Sequence, residues 1–424
     1  MGRRRAVAVT GIGVVAPTGI GKESFWSRIL QGPSAVDRIT RFDCSTFSTR
    51  IAAEVRDPSY RELIPPAKLR NTPLATQYAM AATALALRDA SVAVEQYDPL
   101  RRGVVLGTSI GGWHEALQQH AVLAEKGAGR VNPFMLNGSA NHGAAVEVAV
   151  IAQAKGTHAT FSTGCCGSTH AIGHAADLVA LGELDFCVTG GTEAPISPIV
   201  VAAMSRLREL SEANDSPAEA SRPFDCAHEG FVLGEGSAIL ILEECDHARR
   251  RGAPVYAEIL GHASGVDAAD PFRVDGSGDV GVAALEACLR KSELTAEQID
   301  YVCANANASP HLDRKESNVL RRVFGAHLAR LPVSSIKAVI GHPFGASGAF
   351  QTAAVCLAIQ HHQIPPTHNI VMPDPECNLD VVPNVPRRAS IRHAVVSSHG
   401  FGGLNAYIAL RAAGAASLTA SAAD

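Results

Sequence analysis

The sequence predicts an α/β fold built on a largely parallel sheet that helices cover on both faces. Three observations predict it. Short, near-continuous apolar runs alternate with longer Ala/Leu-rich stretches of helical periodicity. A strand that is apolar at every position is one buried on both faces. The chain has 424 residues, 46% hydrophobic and 18% charged, which is ordinary globular usage and enough for two or three domains or one duplicated unit. Finally, the alternation runs through twice, over about residues 1–250 and again over 251–412. No sequence identity links the two halves, so the duplication is read from pattern alone.

The N-terminus carries Arg3-Arg4-Arg5 and then an apolar run to Val15. A basic segment before an apolar one also opens a secretory leader. Here the β-branched residues and glycines fit a buried strand and turn. Residues 7–9, 103–106, 186–189, 238–242, 257–260, 301–304, 395–397 and 406–410 read as strands, and a further β-rich stretch precedes residue 165. Residues 78–90, 143–154, 167–181, 281–292, 313–324 and 345–361 read as helices. The polar, turn-rich stretch 211–225 reads as a surface loop. The Ala/Ser-rich end, 413–424, reads as a disordered tail.

Composition also excludes functions. A net charge of −4 leaves no nucleic-acid footprint. No stretch reaches the roughly 18 apolar residues of a membrane span. Ten cysteines without metal-type spacing argue for no metal and for a reduced, cytoplasmic protein. Cys165 and Cys166 are adjacent, and a disulfide between neighbours is strained.

Four segments carry chemistry. Cys165 lies in Ser162-Thr163-Gly164-Cys165-Cys166-Gly167, between the β-rich stretch and a helix. A Cys at such a turn sits over a helix N-terminus, where free N–H groups and the helix dipole stabilise thiolate, the nucleophilic form. The plain alternative is a buried structural Cys. The second segment is Cys303-Ala304-Asn305-Ala306-Asn307-Ala308-Ser309-Pro310, between a strand and a helix that Asp313 is placed to cap. Its small residues let a ligand approach the backbone, although an ordinary loop reads the same way. The third, Ser334-Ser335-Ile336-Lys337 through Gly341-His342-Pro343 to Gly348, flanks an apolar run with Lys337 and His342. A lone His is more often a core residue, but a Gly-rich helix start follows this one. The fourth, His399-Gly400-Phe401-Gly402-Gly403, joins two strands as a tight turn whose N–H groups are able to bind an oxyanion.

Together these segments resemble the β-ketoacyl-acyl carrier protein synthases (ketosynthases) of the thiolase superfamily. The resemblance spans residues 5–412 and includes Val9-Thr10-Gly11-Ile12-Gly13, Gly190-Gly191-Thr192-Glu193, Ser221-Arg222-Pro223-Phe224-Asp225 and Gly230-Phe231-Val232-Leu233-Gly234-Glu235-Gly236. It is strongest toward the type II fatty-acid and aromatic-polyketide enzymes. The resemblance implies a thiolase-like duplicated αβαβα sandwich. It also implies a homodimer, or a heterodimer with a sister chain, and acyl transfer from an acyl or peptidyl carrier protein. The substrate then arrives on the carrier's 4'-phosphopantetheine arm, with no separate cofactor. Cys165 matches the acylated nucleophile, and the N–H groups of Cys165 and Phe401, beside Gly400, match the oxyanion hole. Phe401 also matches a gate over the acyl pocket. Lys337 and Glu316 match supporting charged residues, and Arg208 matches a basic residue that meets the carrier.

The chain departs from the pattern where the family reads Asn-Ala-His-Gly-Thr-x-Thr-Pro. Asn305 replaces the first catalytic His, and Asn307 and Ser309 replace two pantetheine-binding Thr residues, while the second His remains as His342. An amide donates a hydrogen bond but takes no proton near neutrality. Losing one charge-assisted hydrogen bond from the transition state costs about 1.5–3 kcal/mol, about one to two decades of rate. The order Cys165, Asn305, His342 is similar to thiolases, which do not decarboxylate. Thiolases also use a second Cys as base in the last loop, where this chain has Phe401; His399 is the nearby candidate. Asp270 replaces a His of the family near the pantetheine tunnel, and Lys68-Leu69-Arg70-Asn71 replaces an Arg/Lys-x-Met-Asp run.

Three readings follow. One is a standalone ketosynthase-like cyclase that captures an acyl group on Cys165 and closes a ring by aldol or β-lactone chemistry, as a salinosporamide-type γ-lactam-β-lactone bicyclase does. Another is a decarboxylative chain-elongating enzyme that tolerates Asn305. The third is a weakly catalytic structural subunit that binds a sister ketosynthase or carrier. Intact Cys165, Lys337 and His342 argue against the third.

Overall fold

Ten strands line up in one sheet path in the computed structural model, which describes residues 4–272 and 274–414. They are β1 (Val7–Ala16), β2 (Arg102–Thr108), β3 (His158–Ser162), β4 (Phe186–Glu193), β5 (Gly236–Glu244), β6 (Ala257–Val266), β7 (Tyr301–Cys303), β8 (Val333–Ser334), β9 (His393–Gly400) and β10 (Leu404–Ala412). The spatial order is β8-β7-β9-β10-β6-β1-β5-β4-β2-β3, and a short strand, Gly19–Ile20, folds back on β1. Read from its outer edge, the first set runs β3-β2-β4-β5-β1 and the second β8-β7-β9-β10-β6. The second is the first with five added to each label, so one topology occurs twice. The sets join where Val7, Ala8 and Val9 pair with Ile259, Glu258 and Ala257. From residue 415 the expected disordered tail lies outside the described residues.

The expected largely parallel sheet is corrected to a mixed one. β2 runs parallel to β3 and β4, and β7 to β8 and β9. The pairs β1–β5, β1–β6, β4–β5, β9–β10 and β6–β10 are antiparallel. Apolar continuity reports cover on both faces and carries no information on strand direction.

The helices of nine or more residues are α1 (Lys22–Gln31), α2 (Leu74–Asp89), α3 (Trp113–Lys126), α4 (Gly143–Ile151), α5 (Gly167–Ala180), α6 (Pro198–Arg206), α7 (Asp279–Lys291), α8 (Pro310–Phe324) and α9 (Ser347–His361). Helices α2 and α4 cover the outer face of the first set, where Tyr78, Ala82 and Val148 meet Ile239 and Ile241. Helices α7 and α8 do the same for the second, where Leu285 and Val319 meet Val395 and Tyr407. Helices α5 and α9 are sandwiched between, so Ile172, Val179, Phe350 and Ala354 share one core with Leu240, Val396 and Ile408. Neighbours in β5 and β9 thus face different cores, as the two-residue strand period requires. The layers run helix, sheet, helix, sheet, helix.

Helices α1, α3 and α6 fall outside the sequence reading. Helix α8 begins at Pro310 with Ser309 as its cap residue, so Asp313 lies inside the first turn instead of capping it. Part of the expected surface loop is interior: Ala220, Ser221, Phe224 and Asp225 are buried. Asp225 accepts from the N–H groups of Val371 and Met372. Among the described residues no helix is long and apolar enough to cross a membrane, and no cluster of His, Cys, Asp and Glu fits a metal ion. All ten cysteines are free.

Candidate active site

The ends of β3, β7 and β9 and the start of α9 bring the four segments together. After β3 the chain makes one tight turn, Gly164–Cys166, and enters α5. Gly107 of β2 permits this approach: a Cβ there would lie 2.1 Å from the Ser168 nitrogen and 2.2 Å from the Gly167 carbonyl carbon. The turn leaves Cys165 buried, with Sγ 3.3 Å from His342 Nε2. The N–H groups of Phe401 and Cys165 itself reach the same sulfur. Phe401 stands in the three-residue link between β9 and β10, which Gly402 and Gly403 turn at φ 77° and 75°. Gly400 packs closely on the nucleophile: a Cβ there would sit 3.3 Å from the Cys165 Cβ.

His342 follows a short helix, Lys337–Ile340, and its N–H donates to the Val232 carbonyl at 2.7 Å. Its Nδ1 faces Ser347 Oγ at 3.2 Å. Phe231 and Phe344 meet the ring edge-on, with centroids 5.2 and 5.4 Å away. Burial, then the Lys337 charge, hold the imidazole well below its usual range, so it is neutral.

The thiolate expectation is corrected at this point. Burial pushes the Cys165 thiol up to about 11, and the opposing pull of Lys337 and the two N–H groups does not offset it. Desolvating an anion in a closed apolar shell outweighs the helix N-terminus. The resting pair is a thiol and a neutral imidazole.

Asn305 follows β7 and is fully buried. Lys337 Nζ donates to its backbone carbonyl and, at 2.8 Å, to its Oδ1. An ammonium has donors only, so the amide orientation is fixed and Nδ2 is the free donor. That Nδ2 is buried with no protein partner, as is Asn307 Nδ2. Glu316 of α8 holds the loop from below, accepting from the N–H groups of Asn305 and Ala306 at 2.8 Å each. Burial brings Lys337 down to about 8, against the raising effect of Glu316.

Other expected residues lie outside this centre. Arg208 is exposed, two residues past α6, while its neighbour Glu209 accepts from Ser309 Oγ at 3.2 Å. Asp270 is exposed and accepts from the Phe272 N–H. Lys68 pairs with Glu147 at 2.8 Å. His399 does not serve as a base at the sulfur, because its ring nitrogens meet Asn405, Ser397 and Tyr407, and burial lowers it to about 3.

Sequence reasoning missed Glu193, Ser347, Phe231 and Phe344. Glu193 accepts from Ser109 N at 2.6 Å and from Gly345 N at 3.1 Å, tying the end of β2 to the start of α9. Its Gly-Gly-Thr-Glu setting was a signal, as was the Gly230–Gly236 run around Phe231.

Comparison with known proteins agrees over nearly the whole chain. Residues 4–248 match the family described as "Beta-ketoacyl synthase, N-terminal domain" and residues 256–371 the corresponding C-terminal domain. The chain is 39% identical over 413 residues to a putative polyketide beta-ketoacyl synthase 1 of Streptomyces halstedii, covering 96% of this chain and 98% of that one. It is 37% identical over 407 residues to 3-oxoacyl-[acyl-carrier-protein] synthase 2 of Coxiella burnetii, covering 96% and 98%. Among solved structures, the ishigamide ketosynthase/chain length factor superposes with a TM-score of 0.90 at 30% identity, covering 97% of this chain and 100% of that one. A type II polyketide acyl-carrier protein in complex with its ketosynthase bound to the hexaketide gives 0.87 at 30%, covering 96% and 100%.

Proposed function

The chain belongs to the β-ketoacyl synthase family, and from that premise we propose that it loads an acyl group from a carrier protein onto Cys165 and then forms a carbon–carbon bond in a step that does not depend on decarboxylation. Ring closure of the aldol or β-lactone-forming kind, in polyketide or hybrid natural-product synthesis, is the reaction proposed. Cys165 attacks the thioester while His342 Nε2 takes the thiol proton, and the N–H groups of Cys165 and Phe401 bind the oxyanion. His342 passes that proton to the departing pantetheine sulfur. Asn307 and Ser309 line the path of the pantetheine arm, and Arg208 meets the acidic carrier. The proposal assigns the chain no cofactor or metal of its own.

The observation that carries the reading is the Asn305 amide, which Lys337 turns so that a lone Nδ2–H donor faces no protein group. It binds an oxygen but moves no proton, so all proton transfer falls to His342. A second copy of the chain is the expected partner at the β3 edge. That strand is open on one side, and Trp113, Phe134 and Leu136 are exposed.

The relatives support a second reading, decarboxylative chain elongation, because several are named as polyketide or 3-oxoacyl synthases. One experiment separates the two. Wild type is expected to load an acyl-pantetheine thioester on Cys165, seen by intact-protein mass spectrometry and absent in Cys165→Ala, yet release little carbon dioxide from malonyl-carrier protein. Asn305→His is expected to raise that release by about one to two decades. Rapid release by the wild type overturns the non-decarboxylative reading, and absence of loading overturns both.

A further inference from the structure

A buried polar chain runs from the Phe401 link to the underside of Asn305, and the proposed chemistry uses none of its middle members. Lys315 Nζ donates to Asp267 Oδ2 at 2.6 Å, with both side chains buried. Asn405 Nδ2 donates to Asp267 Oδ1 at 2.9 Å and to the Gly403 carbonyl at 2.8 Å. Those two bonds fix the Asn405 amide, so its Oδ1 is the acceptor that faces His399 Nδ1 at 3.0 Å. His399 therefore carries its proton on Nδ1 and presents a bare lone pair on Nε2. That nitrogen lies 3.2 Å from Ser397 Oγ, 3.4 Å from Tyr407 Oη and 3.7 Å from Glu316 Oε1. Ser397 Oγ in turn donates to Glu316 Oε1 at 2.5 Å.

We propose that His399 is a positioning residue for this site: its Nε2 lone pair gives Ser397 an acceptor when the serine turns its hydroxyl away from Glu316, so the carboxyl beneath Asn305 holds or releases a proton while Ser397 stays hydrogen-bonded. With Glu316 ionised, Ser397 donates to it and Tyr407 donates to His399. With a proton on Oε1, Glu316 donates to Ser397 Oγ, and the serine hydroxyl rotates to His399 Nε2. One proton is added from solvent, the serine hydroxyl takes the place of the Tyr407 hydroxyl on Nε2, and the imidazole stays neutral throughout. The inference rests on the role given above to Asn305 and Lys337, but its readout is not turnover.

The surroundings fit a carboxyl used in both states. Burial raises Glu316 to about 7, and burial with the Lys315 charge keeps His399 a neutral acceptor. The charged and titratable groups facing the pair are Lys337, Lys315, Cys303 and Tyr407, with Asp267 one residue further along. None of them offers Ser397 a second acceptor.

The test is an infrared titration of the protonated-carboxyl band in the full chain, with Glu316→Gln identifying the band. His399→Phe removes the acceptor and is expected to move the Glu316 midpoint to lower pH by about one unit; His399→Gln, whose amide oxygen accepts, restores it. Ser397→Ala removes a donor to the carboxylate and is expected to move the midpoint the other way. Opposite shifts in variants with wild-type Tm support the proposal. The same direction for both, or an unmoved midpoint in His399→Phe, overturns it. Should His399→Phe not fold, a Ser397→Ala midpoint at or below wild type overturns it alone. Failure of Cys165 to load an acyl group overturns the proposed function and leaves this titration readable.

Discussion

Replacing Asn305 by Asp isolates the donor on which the proposed second step depends. The two side chains are isosteric, so no cavity opens in a site that is fully buried. One carboxylate oxygen keeps the 2.8 Å contact that Lys337 makes with Oδ1. The other stands where Nδ2 has no protein partner, and an acceptor has replaced the donor. A hydrogen bond to a developing oxyanion is worth about 1.5–3 kcal/mol, which is about 10- to 150-fold in rate. The new negative charge opposes a second one in a dry site, so the loss is expected at or beyond the upper end of that range. The assay is single turnover: Cys165 is preloaded from an acyl-pantetheine thioester, and its discharge into the next step is followed by quenched mass spectrometry. Loading, which uses the Cys165 and Phe401 N–H groups and His342, is expected to change by less than about tenfold. Discharge within about threefold of wild type refutes the assignment of Asn305 Nδ2 as an oxygen-binding donor.

Two further outcomes follow from the fold and the resting site. Because burial holds the Cys165 thiol at about 11, its alkylation by iodoacetamide is expected to rise about tenfold per pH unit from pH 7 to 9. Raising pH deprotonates more thiol throughout that window; a plateau below about pH 8 contradicts a protonated resting sulfur. Gly107→Ala places a Cβ 2.1 Å from the Ser168 nitrogen. It is expected to cost about 1–3 kcal/mol in denaturant unfolding and to slow loading by displacing the Cys165 turn; wild-type stability and loading rate count against that contact.

The legible parts of the fold were those with an apolar signature in one place. Strands β1, β2, β4, β5, β6, β7, β9 and β10 were found because helices cover both of their faces, as the separate cores on either side of β5 illustrate. Their direction was hidden, since β4 and β5 are both buried along nearly their whole length and yet pair antiparallel. Helix α3 was hidden because none of its residues is buried, so its sequence carries no core stripe. At the site, Cys165, His342 and Lys337 were legible because glycines and small residues mark the turns that hold them. The direction of the Asn305 amide was not, because it is set by an ammonium 32 residues downstream. The protonation state of Cys165 was misread for a related reason: local sequence shows the helix N-terminus but not the shell of Ile196, Phe231 and Phe344 that excludes water.

Among the side chains at the sulfur, His342 is the one placed to carry a proton between steps, and that constrains the order of events. When the sulfur attacks, its proton moves to His342 Nε2. An imidazolium beside Lys337 is disfavoured by the same burial and charge that keep the ring neutral at rest, so the proton leaves with the departing pantetheine sulfur. The imidazole is then neutral again before the second step. If decarboxylation generates the carbanion, nothing has to be deprotonated: the Asn305 amide, and His342 in the tautomer with its proton on Nε2, act only as donors to the enolate oxygen. If the carbanion arises by removing a C–H proton, His342 is the base and Asn305 alone steadies the oxygen. The two cases make different demands on His342. Replacing it with Gln keeps a donor and abolishes a base, so decarboxylative discharge survives the change at reduced rate, whereas ring closure through a deprotonated carbon does not.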